Sequence, residues 1–140
     1  MSAIGDIVGA VETRMTTNSF VATEDVFNFD SVPSSIINKA FRIETNQVSC
    51  DYNLGQQANV KERMEIYIAY KTRTKPRTAW KAALGDRETL EKDIMNAAAI
   101  QALASNPVFF MDGEATMTKE VGTYLVSRLV FTIDYFRSLA

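Results

Sequence analysis

Apolar residues recur through residues 3–15 at spacings of three and four, so that Ile4, Ile7, Val8, Val11 and Met15 would share one face of a helix. A first helix is predicted there. Gly5 and Gly9 each weaken it by about 1 kcal/mol relative to alanine, so it depends on docking against another element. The period becomes two over residues 60–72, where Met64, Ile66, Ile68 and Tyr70 point one way and Lys61, Arg63, Glu65, Tyr67 and Lys71 the other. It is two again over residues 122–136, with Leu125, Leu129, Phe131, Ile133 and Tyr135 opposite Tyr124, Arg128, Thr132 and Asp134. Ser127 is the one polar exception on that apolar side. Both segments predict strands with one core face and one polar face.

Between these elements the pattern is weaker. Residues 16–30 hold Phe20, Val21, Val26, Phe27 and Phe29 without a helical or strand period, which predicts an extended arm packed on a neighbouring copy or on its own core. Residues 31–37 read as a turn followed by one helical turn, residues 39–48 as a strand, and residues 49–59 as a polar loop. After Pro76, residues 78–84 start a helical segment with Trp80 and Leu84 four apart, and Gly85 is predicted to break it. Asp86 would then cap a helix over residues 87–95, with Leu90 and Ile94 buried and Glu88, Glu91 and Asp93 outside. Residues 97–104 favour more helix, ending before Pro107 because the preceding residue is pushed out of helical geometry. A short strand and a turn at Asp112-Gly113 follow. This order predicts one α+β domain over residues 1–140, an antiparallel or mixed sheet with helices on one face.

Composition narrows the function. A chain of 140 residues with 46% hydrophobic content matches one ordinary domain, able to bury about two thirds of the surface that its unfolded form exposes. Its 15 basic and 17 acidic residues give a net charge of -2 without a long block of one sign. That balance argues against wrapping nucleic acid or coating an anionic membrane and leaves protein as the expected partner. Cys50 is the only cysteine, so neither an internal disulfide nor a paired-cysteine zinc site is possible, which fits folding in a cytoplasm. An acid, Asp6, stands where a secretory signal carries bases, and no run approaches about 20 apolar residues, so neither export by signal nor a membrane span is expected. Histidine is absent, which removes the commonest general base and metal ligand.

Individual motifs point away from catalysis. Gly5-Asp-Ile-Val-Gly9 lacks the preceding strand and the lysine or third glycine of a phosphate-cradling loop. Glu88, Glu91 and Asp93 fan over an outer helix face beside Arg87 and Lys92, a solvated pattern rather than a metal cluster. Asp51 beside Cys50 would raise the thiol pKa, and no base stands ready to activate it. Trp80 and Tyr70 sit at core spacing and are expected to pack inside, with Tyr67 exposed. No enzyme, metal or cofactor is expected. One patch stands apart: Lys71, Arg73, Lys75 and Arg77 alternate, so an extended segment would send all four to one side. It reads as a solvated strand end, as a subunit interface against acids such as Glu88 and Glu91, or as a contact to passing DNA.

Taken in order, the chain resembles the tail terminator (tail completion) family of long-tailed bacteriophages. The resemblance is carried by the helix of residues 3–15, then Val26-Phe-Asn-Phe-Asp-Ser-Val-Pro33, then Ala40-Phe-Arg-Ile-Glu44. It continues through Glu65-Ile-Tyr-Ile-Ala-Tyr-Lys71, Arg87-Glu-Thr-Leu-Glu-Lys-Asp-Ile94 and Leu129-Val-Phe-Thr-Ile-Asp-Tyr135, nearly the full length. It implies a virion protein assembled in the host cytoplasm. Its subunits would close into a homo-oligomeric ring, typically six, on the end of the tail tube. The ring would halt growth of the tail tube protein and meet the head-neck connector protein, and DNA would pass through its lumen without specific binding. Such a ring needs a heterologous interface. Its expected contributors are the loop of residues 49–59 with Tyr52, the basic stripe of Lys71, Arg73, Lys75 and Arg77, and the arm with Phe20, Phe27 and Phe29.

Overall fold

Ser2 opens the first helix, α1 (Ala3–Thr17), by accepting a hydrogen bond from the Gly5 N–H at 3.0 Å. Glycine suits that close approach, since a Cβ at residue 5 would lie 2.7 Å from the Ser2 hydroxyl. The structure, a computed structural model, describes residues 2–52, 56–72 and 75–138. Ile7, Val11 and Met15 form the buried face of α1, as their spacing predicts.

The chain then contributes β1 (Val21–Ala22), β2 (Ala40–Tyr52) and β3 (Gln57–Lys71). Next come the helices α2 (Pro76–Asn96) and α3 (Ala98–Gln101), and finally β4 (Val108–Met111), β5 (Met117–Val121) and β6 (Tyr124–Ser138). The strands form one mixed sheet in the order β1-β2-β3-β6-β4, with β5 paired to the same side of β6 as β4. Only β1 and β2 are parallel. The fold is α+β.

One face of the sheet carries the main core. Met64, Ile66, Ile68 and Tyr70 of β3 and Leu125, Leu129, Phe131, Ile133 and Tyr135 of β6 pack there against Ile7, Val11 and Met15 of α1, Leu90 and Ile94 of α2, and Ile100 of α3. The alternation of both long strands is thus realised, and all three helices lie on this side. The opposite face is less polar than its pattern predicts. Phe27 and Ile36 fold across it and close a second, smaller core over Ala40, Tyr67, Ala69, Tyr124 and Val126. Tyr67, expected in solvent, is buried beneath this cover, and the Tyr124 hydroxyl donates to the Ile36 carbonyl oxygen at 2.8 Å.

Several local expectations are corrected. Residues 49–59 are largely the ends of the β2–β3 hairpin: the paired strands reach Tyr52 and Gln57, and residues 53–55 lie outside the described residues. Within this segment only the small side chains of Ala58 and Cys50 turn toward the core, too weak an apolar alternation to mark the paired strands. Residues 31–37 form turns without a helical turn. Gly85 does not interrupt α2. One interior glycine costs about 1 kcal/mol, which the buried face of Ala79, Ala83, Leu90 and Ile94 offsets. Asp86 is therefore mid-helix and no cap. Its carboxylate accepts from the Tyr70 hydroxyl at 2.9 Å and lies 3.7 Å from Lys39 Nζ. The helix predicted over residues 97–104 shrinks to α3, and β5, unpredicted, forms a two-residue hairpin with β6 around Gly122, whose φ of 60° favours glycine.

Candidate assembly surface

The predicted interface residues separate into three groups. Phe20 and Phe27 are 4% and 1% exposed within the subunit, so the arm packs on its own core and these rings offer no surface. The cause is local: β1 pairs with Ala40 and Phe41 of β2 and draws the arm against the sheet. Phe29 is half-buried, edge-to-face with Tyr67 at 5.8 Å and beneath Arg128 at 5.1 Å. Tyr52, by contrast, is 69% exposed near the hairpin tip.

The basic stripe does not stay on one side, because the chain turns from β3 into α2. Lys71 and Lys75 line a cleft of about 450 Å³ together with Lys39. Arg77 lines a separate groove on the opposite flank of the first turns of α2. Arg73 lies outside the described residues. Trp80 also departs from expectation, being 43% exposed. The small Ala79 and Ala83 occupy the buried face of α2, and the next residue, about 100° around the helix, overhangs the groove above Leu125.

Two surface features were not read from the sequence. The outer side of β2 has no partner beyond the two-residue β1, leaving residues 43–52 as an open strand edge among the described residues. Val48 bulges out of its pairing and is exposed. At the other border, β4 pairs only with β6 and exposes Val108 and Phe110 to about half of their full area on the face away from the helices. An apolar edge is costly to leave in water and liable to pair with another chain. Alternation in Val108-Phe-Phe-Met111 was visible in the sequence, but local pattern does not reveal which side of a strand lacks a neighbour.

No group of three or more Cys, Asp or Glu side chains suited to a metal ion occurs among the described residues. Among them, no helix is long and apolar enough to cross a membrane. Cys50 is half-buried, with Arg137 Nη2 donating to its Sγ at 3.2 Å, while the strand alternation turns Asp51 to the opposite face. Two carboxylates have clear electrostatic roles. Asp93, expected merely in solvent, accepts from Arg14 Nε and Nη2 at 2.8 and 2.7 Å and from Asn18 at 3.0 Å, tying α1 to α2. The hydrogen bonds from Arg14 hold its pKa below the usual carboxylate value. Glu62 shares the core face with Val60 and Met64, a parity readable in the sequence, and accepts from the Tyr135 hydroxyl at 3.1 Å. Burial pushes its pKa up, and pushes that of Tyr135 up to about 12.

Opposite pH signatures are expected from the two. Asp93 contributes stability above its unfolded value of 3.8, lost as pH falls through its lower folded value, so Asp93→Asn should flatten the acid limb of the stability curve. The raised Glu62 binds its proton more tightly when folded, so a destabilising contribution enters as pH rises from 4.5 through its folded value. Glu62→Gln should remove that loss while keeping an acceptor for Tyr135. Urea unfolding from about pH 3 to pH 8 checks both; parallel curves for either variant and the native chain would contradict the assignment.

No model of a known protein family matches this chain, and no curated protein sequence does.

Proposed function

We propose that the protein is a structural virion subunit that closes into a ring on the end of a bacteriophage tail tube. The ring ends polymerisation of the tube protein and forms the joint to the head-neck connector. Two lines support the reading: the resemblance in element order, and above all the pair of open and chemically unlike sheet borders. The β2 border is polar with Val48 and Tyr52 exposed, and the β4 border exposes Val108 and Phe110. Contact between unlike borders is heterologous, and repeated heterologous contact makes a ring when its rotation closes. Strand direction favours it. Because β2, β3, β6 and β4 alternate, β4 runs opposite to β2, so like-oriented copies would join by an antiparallel ladder.

Such work needs interfaces and no reactive group. The test is the mass in solution, by light scattering on a sizing column, of the protein alone and with tail tube protein. A closed ring, or a monomer that forms one on tube ends and stops their growth, is expected. Indefinite filaments of the protein alone would make it a tube component, and a monomer that ignores tubes would overturn the reading.

A further inference from the structure

We propose that copies in the ring are joined by a ladder of fixed register, in which Phe109 and Met111 of β4 exchange backbone hydrogen bonds with Gln47 and Thr45 of β2 in the next copy. The proposal rests on the ring reading above and assigns the residues that carry its contact. Bonds inside the subunit identify the free backbone groups. The Asp112 N–H donates to the Val130 carbonyl oxygen at 2.8 Å, and bonded pairs alternate along an antiparallel ladder, so Val108 and Phe110 face β6. The N–H and C=O groups of Phe109 and Met111 therefore point away from the sheet. On the opposite border the Thr23 N–H donates to the Phe41 carbonyl oxygen at 3.3 Å, which marks Phe41 and every second residue up to the bulge, Thr45 and Gln47 among them, as outward-facing. None of these four residues makes a backbone bond on its outer side among the described residues.

The ladders within the sheet set the register. Phe109 lies level with Ile133, Glu62 and Gln47, and Met111 with Phe131, Met64 and Thr45. Copies turned about an axis along the strands stay at one height, so Phe109 meets Gln47 and Met111 meets Thr45, with about four N–H···O bonds in all. All four side chains belong to the helix-covered face, and directly opposed residues of an antiparallel ladder share a face. Had the outward-facing residues of one border belonged to the other face, the next copy would have to turn its helices over. As it is, every copy keeps its helices on the same side of one continuous sheet. On the other face this register seats Phe110 beside Asn46 and brings Val108 level with Val48, the exposed residue of the bulge.

Engineered disulfides read the register. Cys50→Ser removes the native thiol and keeps an acceptor for Arg137. In that background Asn46→Cys/Phe110→Cys places two exposed thiols at a pair of the contact that lies between its hydrogen-bonded pairs, where Cα atoms stand about 4.5 Å apart, within disulfide reach. Within one subunit β3 and β6 hold the same positions about 14 Å apart, too far for an internal bond. Oxidation of the assembled ring should give covalent oligomers on non-reducing denaturing gels, up to the copy number that light scattering reads. Glu44→Cys/Phe110→Cys, displaced by two residues on the same face, should link far less, and Phe110→Cys alone should give no covalent dimer. The native chain supplies a second readout: amide exchange in residues 43–47 and 108–111 should slow together by about tenfold or more when the ring forms. Rings that cross-link better at 44 and 110 than at 46 and 110, or whose edge amides exchange as fast as in the monomer, would overturn the ladder and leave the ring standing. A covalent dimer from Phe110→Cys alone would make β4 meet β4 and overturn the ladder together with the heterologous contact. A chain that forms no ring, alone or on tube ends, would sink both readings.

Discussion

Replacing Phe131 by alanine is expected to cost about 3–5 kcal/mol of folding stability, the largest loss from any single truncation considered for this fold. The ring is fully buried, and its backbone register places it between Met64 of β3 and Met111 of β4. It meets Phe109 edge-to-face at 5.8 Å on the side covered by the helices. Truncation would leave a cavity on β6, which is held by ladders to β3 on one side and β4 on the other, beneath helices that cannot fully collapse into it. Urea unfolding measures the loss. The neighbouring strand provides the control, because Phe109 faces the core and Phe110 faces solvent. Phe109→Ala should cost several-fold more than Phe110→Ala in the isolated subunit. Equal costs, or a near-neutral Phe131→Ala, would mean that β4 and β6 are paired in another register.

That register is legible in the sequence because the long strands carry it twice. In β3 and β6 the apolar residues recur at every second position, and one slip would drive Arg128, Thr132 and Asp134 into the core. α1 was legible for the same reason at a different period. What failed was structure not encoded in a local period. The hairpin ends bury only small side chains, Ala58 and part of Cys50, so residues 49–59 look like loop although their backbones pair. β5 alternates weakly, and only Gly122 beside the strong β6 pattern hinted at its turn. Gly85 was overvalued as a breaker because the burial on either side of it outweighs its backbone entropy. The candidate surface was legible in part. Apolar arm residues show that something covers them but not whether it is their own sheet, and Phe20 and Phe27 turned inward. The alternating cations separated because their side-to-side reading assumed an extended chain where α2 begins.

Charge placed on the β4 border should abolish ring formation while sparing the subunit. Val108 and Phe110 are about half-exposed and Val108 stands opposite Asp134, so Val108→Lys/Phe110→Lys is expected to alter monomer stability by only about 0.5 kcal/mol per site. In a closed contact, however, each added ammonium would be desolvated, which costs several kcal/mol at every copy of the interface. Tyr52→Lys on the β2 side should act likewise if that border is the complement. Mixing the two variants separates a heterologous contact from any other kind. Each retains one intact border of opposite type, so together they can make one productive contact and then have no surface left for a third copy. Light scattering should therefore read monomers for each variant alone and dimers for the mixture. A mixture that stays monomeric, or variants that still form rings, would place the subunit contact elsewhere on the molecule, because two unlike borders that truly meet must complement each other in trans.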